Sequence, residues 1–217
     1  MITGFFNINK PAGLTSAAVV SRVKRIVGQR DLGHMGTLDP MATGVLIVAA
    51  GRKATKMFDV LHKKPKEYIA EFKFGVDTDT LDTTGAVTSS GGKIPDQNAI
   101  AAALPSQTGK IRQVPPAYSA KSVNGVKAYK LARRGEEIVL KPKEVEIYSF
   151  ELLRQMGADT FEFKIGCGGG TYIRSMARDL GAALQTKCVM SALQRTKSCG
   201  FNIEDAVTLE ELGRDYT

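Results

Sequence analysis

The chain has 217 residues, of which 43% are apolar and 24% charged, and a formal net charge of +8. This is the profile of a globular protein large enough for one sizeable core. No apolar run approaches the roughly 20 residues of a membrane-spanning helix, and the opening MITGFFNINKP has no charged leader of the signal-peptide kind, so a cytoplasmic protein with no membrane partner is expected. Three cysteines (Cys167, Cys188, Cys199) without C-x-x-C spacing and only two histidines argue against a disulfide framework and a structural zinc site. The positive balance fits a polyanionic partner such as RNA.

Residues 4–9 alternate enough for a first strand, and Lys10-Pro11-Ala12-Gly13 turns the chain. Thr15 or Ser16 can cap a helix whose Val19, Val20, Val23, Ile26 and Val27 keep helical spacing until Gly28. Next comes GHMGTLDPMATGVLIVAAG, residues 33–51. Its apolar second half, 45–50, reads as a buried strand. Gly33, Gly36 and Pro40 argue against regular structure in the first half. His34, Thr37 and Asp39 therefore fall on a tight loop that drops into the core, an arrangement that holds one carboxylate rigidly at the floor of a cleft. By itself, Asp39-Pro40 reads as a simple turn. A short helix over 54–61 precedes a basic cluster, His62, Lys63, Lys64 and Lys66, which is either a solvated face or an RNA contact. Residues 67–74 then alternate, with Tyr68, Ala70, Phe72 and Phe74 on one face of a strand.

The polar stretch GVDTDTLDTTG carries Asp77, Asp79 and Asp82 but lacks the glycine and the terminal acid of a calcium loop. A helix is predicted over 95–104, a strand over 110–114 ended by Pro115-Pro116, and a helix over 127–134 ended by Gly135. Lys121, Lys127, Lys130, Arg133 and Arg134 interleave with Tyr118 and Tyr129, which suits an RNA surface or a solvated helix. Residues 145–153 and 160–165 are predicted to form a hairpin about Gly157. Gly168-Gly169-Gly170 then opens a helix running to Leu184. Glycines at a helix start can bind phosphate, but no phosphate-loop or dinucleotide fingerprint is present, so no cofactor is expected. A strand over 188–196 and a helix over 203–212 complete the chain. Without repeats or linkers, residues 1–217 read as a single domain of the α/β (α+β) class, a mixed, mostly antiparallel sheet flanked by helices.

GHMGTLDPMATGVL closely resembles the catalytic loop of the TruB-type tRNA pseudouridine synthases. NKPAGLTS, the Thr/Asp-rich stretch, PPAYSAKSVNGVKAYKLARRG, CGGGTYIRSMARDLG and LQRTKSCGF resemble further motifs of that family, so the likeness runs from Asn7 to about Leu212. It implies the pseudouridine synthase fold and a cofactor-free, metal-free isomerase that converts uridine 55 in the T-loop of tRNA after flipping it out of its stack. It also implies Asp39 as the essential carboxylate, acting as nucleophile or as base, with Arg174 as its cationic partner. Tyr68 would stack on the target base and offer a hydroxyl to take the C5 proton. His34 would fill space beside the extruded base, Tyr172 and Leu193 would line the pocket, and Lys10 would brace the catalytic loop. The chain departs from the family where Gly168 and Gly169 stand, since a Ser and a Lys or other polar residue are usual there. Bacterial members commonly carry a further small RNA-binding domain, so a short form without that PUA-like domain, acting as a monomer, is expected. Two other classes compete. A non-catalytic RNA-binding module would have lost Asp39, Tyr68 or Arg174, and a cofactor-dependent transferase would need the glycine fingerprint that is missing.

Overall fold

The computed structural model describes residues 1–123, 125–136 and 138–216. The chain divides into two compact units. The first comprises Met1–Ile69, Gly168–Gly170 and Ala192–Thr217, and the second Ala70–Cys167 and Thr171–Ser191. In chain order the first unit begins with β1 (Gly4–Lys10), α1 (Ser16–Val27), β2 (Leu32–His34), β3 (Thr43–Ala50), α2 (Arg52–Thr55), α3 (Phe58–His62) and the start of β4 (Lys66–Phe74). The second continues with β5 (Val76–Thr78), β6 (Val87–Ser90), α4 (Gln97–Ala103), β7 (Gly109–Gln113), β8 (Ser122–Val123), β9 (Val126–Lys127), α5 (Ala128–Ala132), β10 (Lys143–Gln155), β11 (Thr160–Cys167), α6 (Ile173–Ala183) and the start of β12 (Cys188–Ser198). The end of β12, β13 (Phe201–Asn202) and α7 (Leu209–Asp215) belong to the first unit. No helix among the described residues is long and apolar enough to cross a membrane.

The first unit is built on β3. Val45 to Ala50 are all buried, as a strand covered on both faces requires. β1 pairs with it antiparallel along its length, from Gly4 opposite Ala50 to Lys10 opposite Gly44. β2 takes Val48 to Ala50, and β12 lies parallel at Thr43 and Gly44. Val45, Ile47 and Ala49 pack with Met35 and Ala54 into one buried cluster. α1 starts at Thr15, whose hydroxyl accepts from the Ala18 N–H at 3.1 Å, and ends at Gly28 with φ of 66°. Of the two expected caps Thr15 is therefore the one used, which leaves Ser16 to turn inward.

Several short strands, β5, β6, β8, β9 and β13, were not expected, and three further elements differ from expectation. Residues 32–34 form the short strand β2 where no regular structure was expected, because β3 leaves edge positions at 48–50 for it to pair with. The helix expected over 54–61 divides at Lys56 and Met57 into α2 and α3. The last helix starts only at Leu209, with a reciprocal cap in which Thr208 and Glu211 satisfy each other's backbone N–H. It cannot begin at 203, because the backbone of Val207 is already committed to β1: Val207 N–H donates to Asn7 and Asn9 N–H donates to Val207.

The second unit carries the strand order β4-β11-β10-β7, with β10 antiparallel to both neighbours. Its core is aromatic. Phe72 sits 4.9 Å from Phe163 and 6.1 Å from Phe150, and Phe74 meets Phe161 edge-on at 5.6 Å. Each such ring stabilises by roughly 1.5–3 kcal/mol on burial. The Thr/Asp-rich stretch is the connection between β5 and β6, which pair antiparallel.

Candidate active site

Asp39 lies half-buried on the loop between β2 and β3. A loop entering a core must find partners for its backbone polar groups, and here side chains from other elements supply many of them. Lys10, the last residue of β1, is fully buried, and its Nζ donates to the carbonyls of Pro11 at 2.9 Å, Pro40 at 3.1 Å and Ala42 at 2.6 Å. The Ser16 hydroxyl donates to the Leu38 carbonyl at 3.0 Å and accepts from the Leu38 N–H at 2.9 Å. Arg195 on β12, 1% exposed, donates through Nε to Val45 at 2.7 Å, through Nη2 to Gly36 at 3.2 Å and through Nη1 to Thr37 at 3.4 Å. Gly44 makes this approach possible. Its φ is +95°, and a Cβ there would lie 2.3 Å from the Arg195 carbonyl oxygen.

Burial pulls the Lys10 ammonium down to about 8; Asp39 opposes that shift and Arg195 adds to it. His34, at the end of β2, is also pushed down, first by burial and then by Arg195, so its ring is neutral at pH 7. The His34 Nδ1 is buried and finds no hydrogen-bond partner among the described residues. A third buried cation, Lys66, closes the end of α3 by donating to His62 at 2.8 Å and Lys64 at 2.9 Å. Tyr68, two residues along β4 on the same alternating face, is 6% exposed, and Leu193 on β12 is 8% exposed. Asp39, His34, Tyr68 and Leu193 thus all belong to the first unit. So does the Gly168–Gly170 segment. A Cβ on Gly169 would stand 2.0 Å from the His62 carbonyl oxygen, which is a physical reason for glycine at this departure from the family pattern.

Tyr172 and Arg174 belong to the second unit. The backbone of Tyr172 is clamped at two points by the buried Gln113 side chain, which accepts from its N–H at 2.8 Å and donates to its carbonyl at 3.1 Å. Arg174, in the first turn of α6, donates to the carbonyls of Thr80 at 2.8 Å and Tyr118 at 2.9 Å. Its Nε lies 3.7 Å from the Asp82 carboxylate, both side chains being 6% exposed. Asp82 also accepts from the Thr80 hydroxyl at 2.8 Å and the Thr84 N–H at 3.0 Å.

Sequence reasoning gives two of these residues no role. Asp82 appears there only in a stretch that fails as a calcium loop, and only its crowd of flanking hydroxyls hints at a buried carboxylate. Arg195 stands at the same alternating parity as Leu193 on a strand, where a charged residue on an apolar face is the available signal.

The model of the TruB family pseudouridylate synthase N-terminal domain matches residues 24–173. The chain belongs to this family. A second model, the tRNA pseudouridylate synthase B C-terminal domain, matches residues 174–217. The chain is 40% identical to the tRNA pseudouridine synthase B of Lactobacillus delbrueckii subsp. bulgaricus, over 98% of this chain and 74% of that protein. Its identity to the Prochlorococcus marinus protein of the same name is 44%, over 98% and 68%. A chain in the crystal structure of a Cbf5-Nop10-Gar1 complex superposes with a TM-score of 0.77 at 31% identity, covering 99% of this chain and 54% of that one. The TruB-family chain therefore spans about half the length of that structural relative. Family membership makes it an enzyme, an isomerase that forms pseudouridine.

Proposed function

We propose that this chain isomerises a uridine in the T-arm of tRNA, at position 55, with Asp39 as the reacting carboxylate. The observation that carries the reading is the loop of Asp39, whose carbonyls are held by Lys10, Ser16 and Arg195. A carboxylate on so fixed a backbone can meet one sugar atom repeatedly in one geometry.

The reaction breaks the N1–C1′ bond of the uridine, turns the freed uracil, and forms a C5–C1′ bond. C5 loses its proton and N1 ends with one, so substrate and product are isomers and no co-reactant is consumed. Asp39 either attacks C1′ or takes a sugar proton to give a glycal-like intermediate. Tyr68 stacks on the base and its hydroxyl takes the C5 proton. Arg174 is the cation that the reacting carboxylate calls for. Tyr172 and Leu193 contribute to the base pocket. The target base must leave its stack, at a cost of a few kcal/mol, and the neutral His34 ring fills space where it left. Backbone charge and loop shape, rather than base sequence, then dominate recognition, in keeping with the +8 balance.

Purified chain incubated with unmodified tRNA, followed by mapping of isomerised uridines, tests this directly. Pseudouridine at the T-loop position is expected. Isomerisation confined to another arm would refute the substrate assignment.

A further inference from the structure

We propose that Arg195 is a positioning residue for the reacting carboxylate, setting the geometry of the Asp39 loop through its guanidinium fork; this rests on the reading that Asp39 reacts. The loop has an entering limb, at Gly36 and Thr37, and a leaving limb that runs into β3 at Val45. Among the described contacts Lys10 holds the leaving limb, at Pro40 and Ala42, and Ser16 holds the middle, at Leu38. Arg195 reaches both limbs. Its Nε donates to Val45 while Nη2 and Nη1 donate to Gly36 and Thr37. A planar guanidinium fixes the separation and relative angle of the carbonyls it holds, which a point-like ammonium does not. The span between the two limbs is therefore set by one rigid group.

The backbone under that group is equally fixed. β12 runs parallel to β3, with Arg195 opposite Gly44, and the absence of a Cβ on Gly44 lets the two strands approach closely. A strand needing only an apolar face at this parity would carry a residue like Leu193, since burying a guanidinium is unfavourable for stability by itself. Its retention at 1% exposure, with the fork directed at carbonyls on both sides of Asp39, points to geometry as its purpose.

The test uses the full chain, tRNA tritiated at uridine C5, and the variants Arg195→Lys, Arg195→Met and Asp39→Asn. Three quantities are measured for each: single-turnover release of tritium, tRNA affinity by filter binding, and the fraction folded. For the Lys variant we expect a rate loss on the order of 10–10²-fold, since a displacement of about 1 Å is enough for that. Affinity and folded fraction should stay near wild type. The Met variant should lose more, so that Lys gives partial recovery. If Met does not fold, the Lys variant carries the test alone. A Lys variant with the wild-type rate overturns the inference, and so does a rate loss matched by an equal loss of folded or tRNA-bound enzyme. Asp39→Asn separates the two levels. If it still isomerises uridine, the underlying reading has failed; if it is inactive while Arg195→Lys is unimpaired, only the positioning role has.

Discussion

In the first unit Lys10, Lys66 and Arg195 are buried against main-chain carbonyls, and no carboxylate is among that unit's described buried residues. In the second unit Arg174 is buried against two carbonyls and also against the Asp82 carboxylate. Both solutions satisfy a cation that has left water, but they leave different fields behind. Carbonyl dipoles solvate the charges of Lys10 and Arg195 without cancelling them, so positive charge is kept beside the loop of Asp39. A carboxylate cancels such a charge, and the second unit gains an internal tie between α6 and the β5–β6 connection. On the proposed reading the first arrangement surrounds the reacting anion, while Asp82 ties Arg174, the proposed cationic partner, into its own unit. Damage to the first should appear mainly in rate, and loss of Asp82 in stability as well.

The strongest way to break this contrast is Asp39→Asn. The amide is nearly isosteric and leaves the three cations and their carbonyls in place, so folding and tRNA affinity should stay close to wild type while single-turnover isomerisation falls below detection. Substantial product from the Asn variant would remove Asp39 from the chemistry and leave the cation cluster without a catalytic rationale.

Tyr68→Phe comes next in size. It keeps the ring on β4 and removes only the hydroxyl, so bound tRNA is expected with a loss of about 10²–10⁴-fold, as for a missing proton acceptor. The glycosidic bond should still break, so a cleaved, unrearranged intermediate is the signature to look for in quenched reactions. A Phe variant as fast as wild type would show that another group takes the C5 proton.

The second unit is tested with Asp82→Leu. This leaves the Arg174 guanidinium buried without its carboxylate, and urea unfolding should report a loss of roughly 3–5 kcal/mol. Adding Arg174→Met should recover part of that stability, since an ion pair can be replaced from both sides at once. Lys10→Met has no such cure, because its partners are backbone carbonyls that no substitution removes. A double variant no more stable than Asp82→Leu would mean that Arg174 is held mainly by the carbonyls of Thr80 and Tyr118.

The smallest effect concerns pH and belongs to Lys10. Its ammonium has three donors for three carbonyls, whereas the neutral amine has two, so the grip on the loop loosens as pH rises through about 8. The folded value lies below the unfolded one, so from about 8 up to 10.5 the unfolded chain keeps a proton that the folded chain has lost. On this group's account stability therefore increases with pH across that window, while the rate should fall severalfold. Parallel rate and denaturation profiles, compared with Lys10→Met, would show whether the two move in opposite directions through this group. If both decline together and the Met variant behaves the same way, Lys10 is not the titrating group.

Much of this molecule is written locally. The buried run of β3, the Thr15 cap and Gly28 stop of α1, the alternation around Tyr68 and the glycine-proline punctuation of the Asp39 loop are nearest-neighbour properties, and a single sequence displays them. The motif spacing carried the family, because GHMGTLDPMATGVL places a histidine, a carboxylate and three glycines in a fixed order. What it could not display is which distant side chains answer the loop's carbonyls. Arg195 is about 150 residues from the carbonyls it holds, and Arg174 is about 90 from Asp82; neither separation leaves a periodic trace. The late start of α7 has the same origin, since Val207 gives its backbone to β1 at the far end of the chain. Local pattern decided where strands and helices form and where the carboxylate stands. Tertiary structure decided which buried charges are satisfied by dipoles and which by an opposite charge, because burial in a low-dielectric interior obliges each charge to find partners wherever the fold brings them.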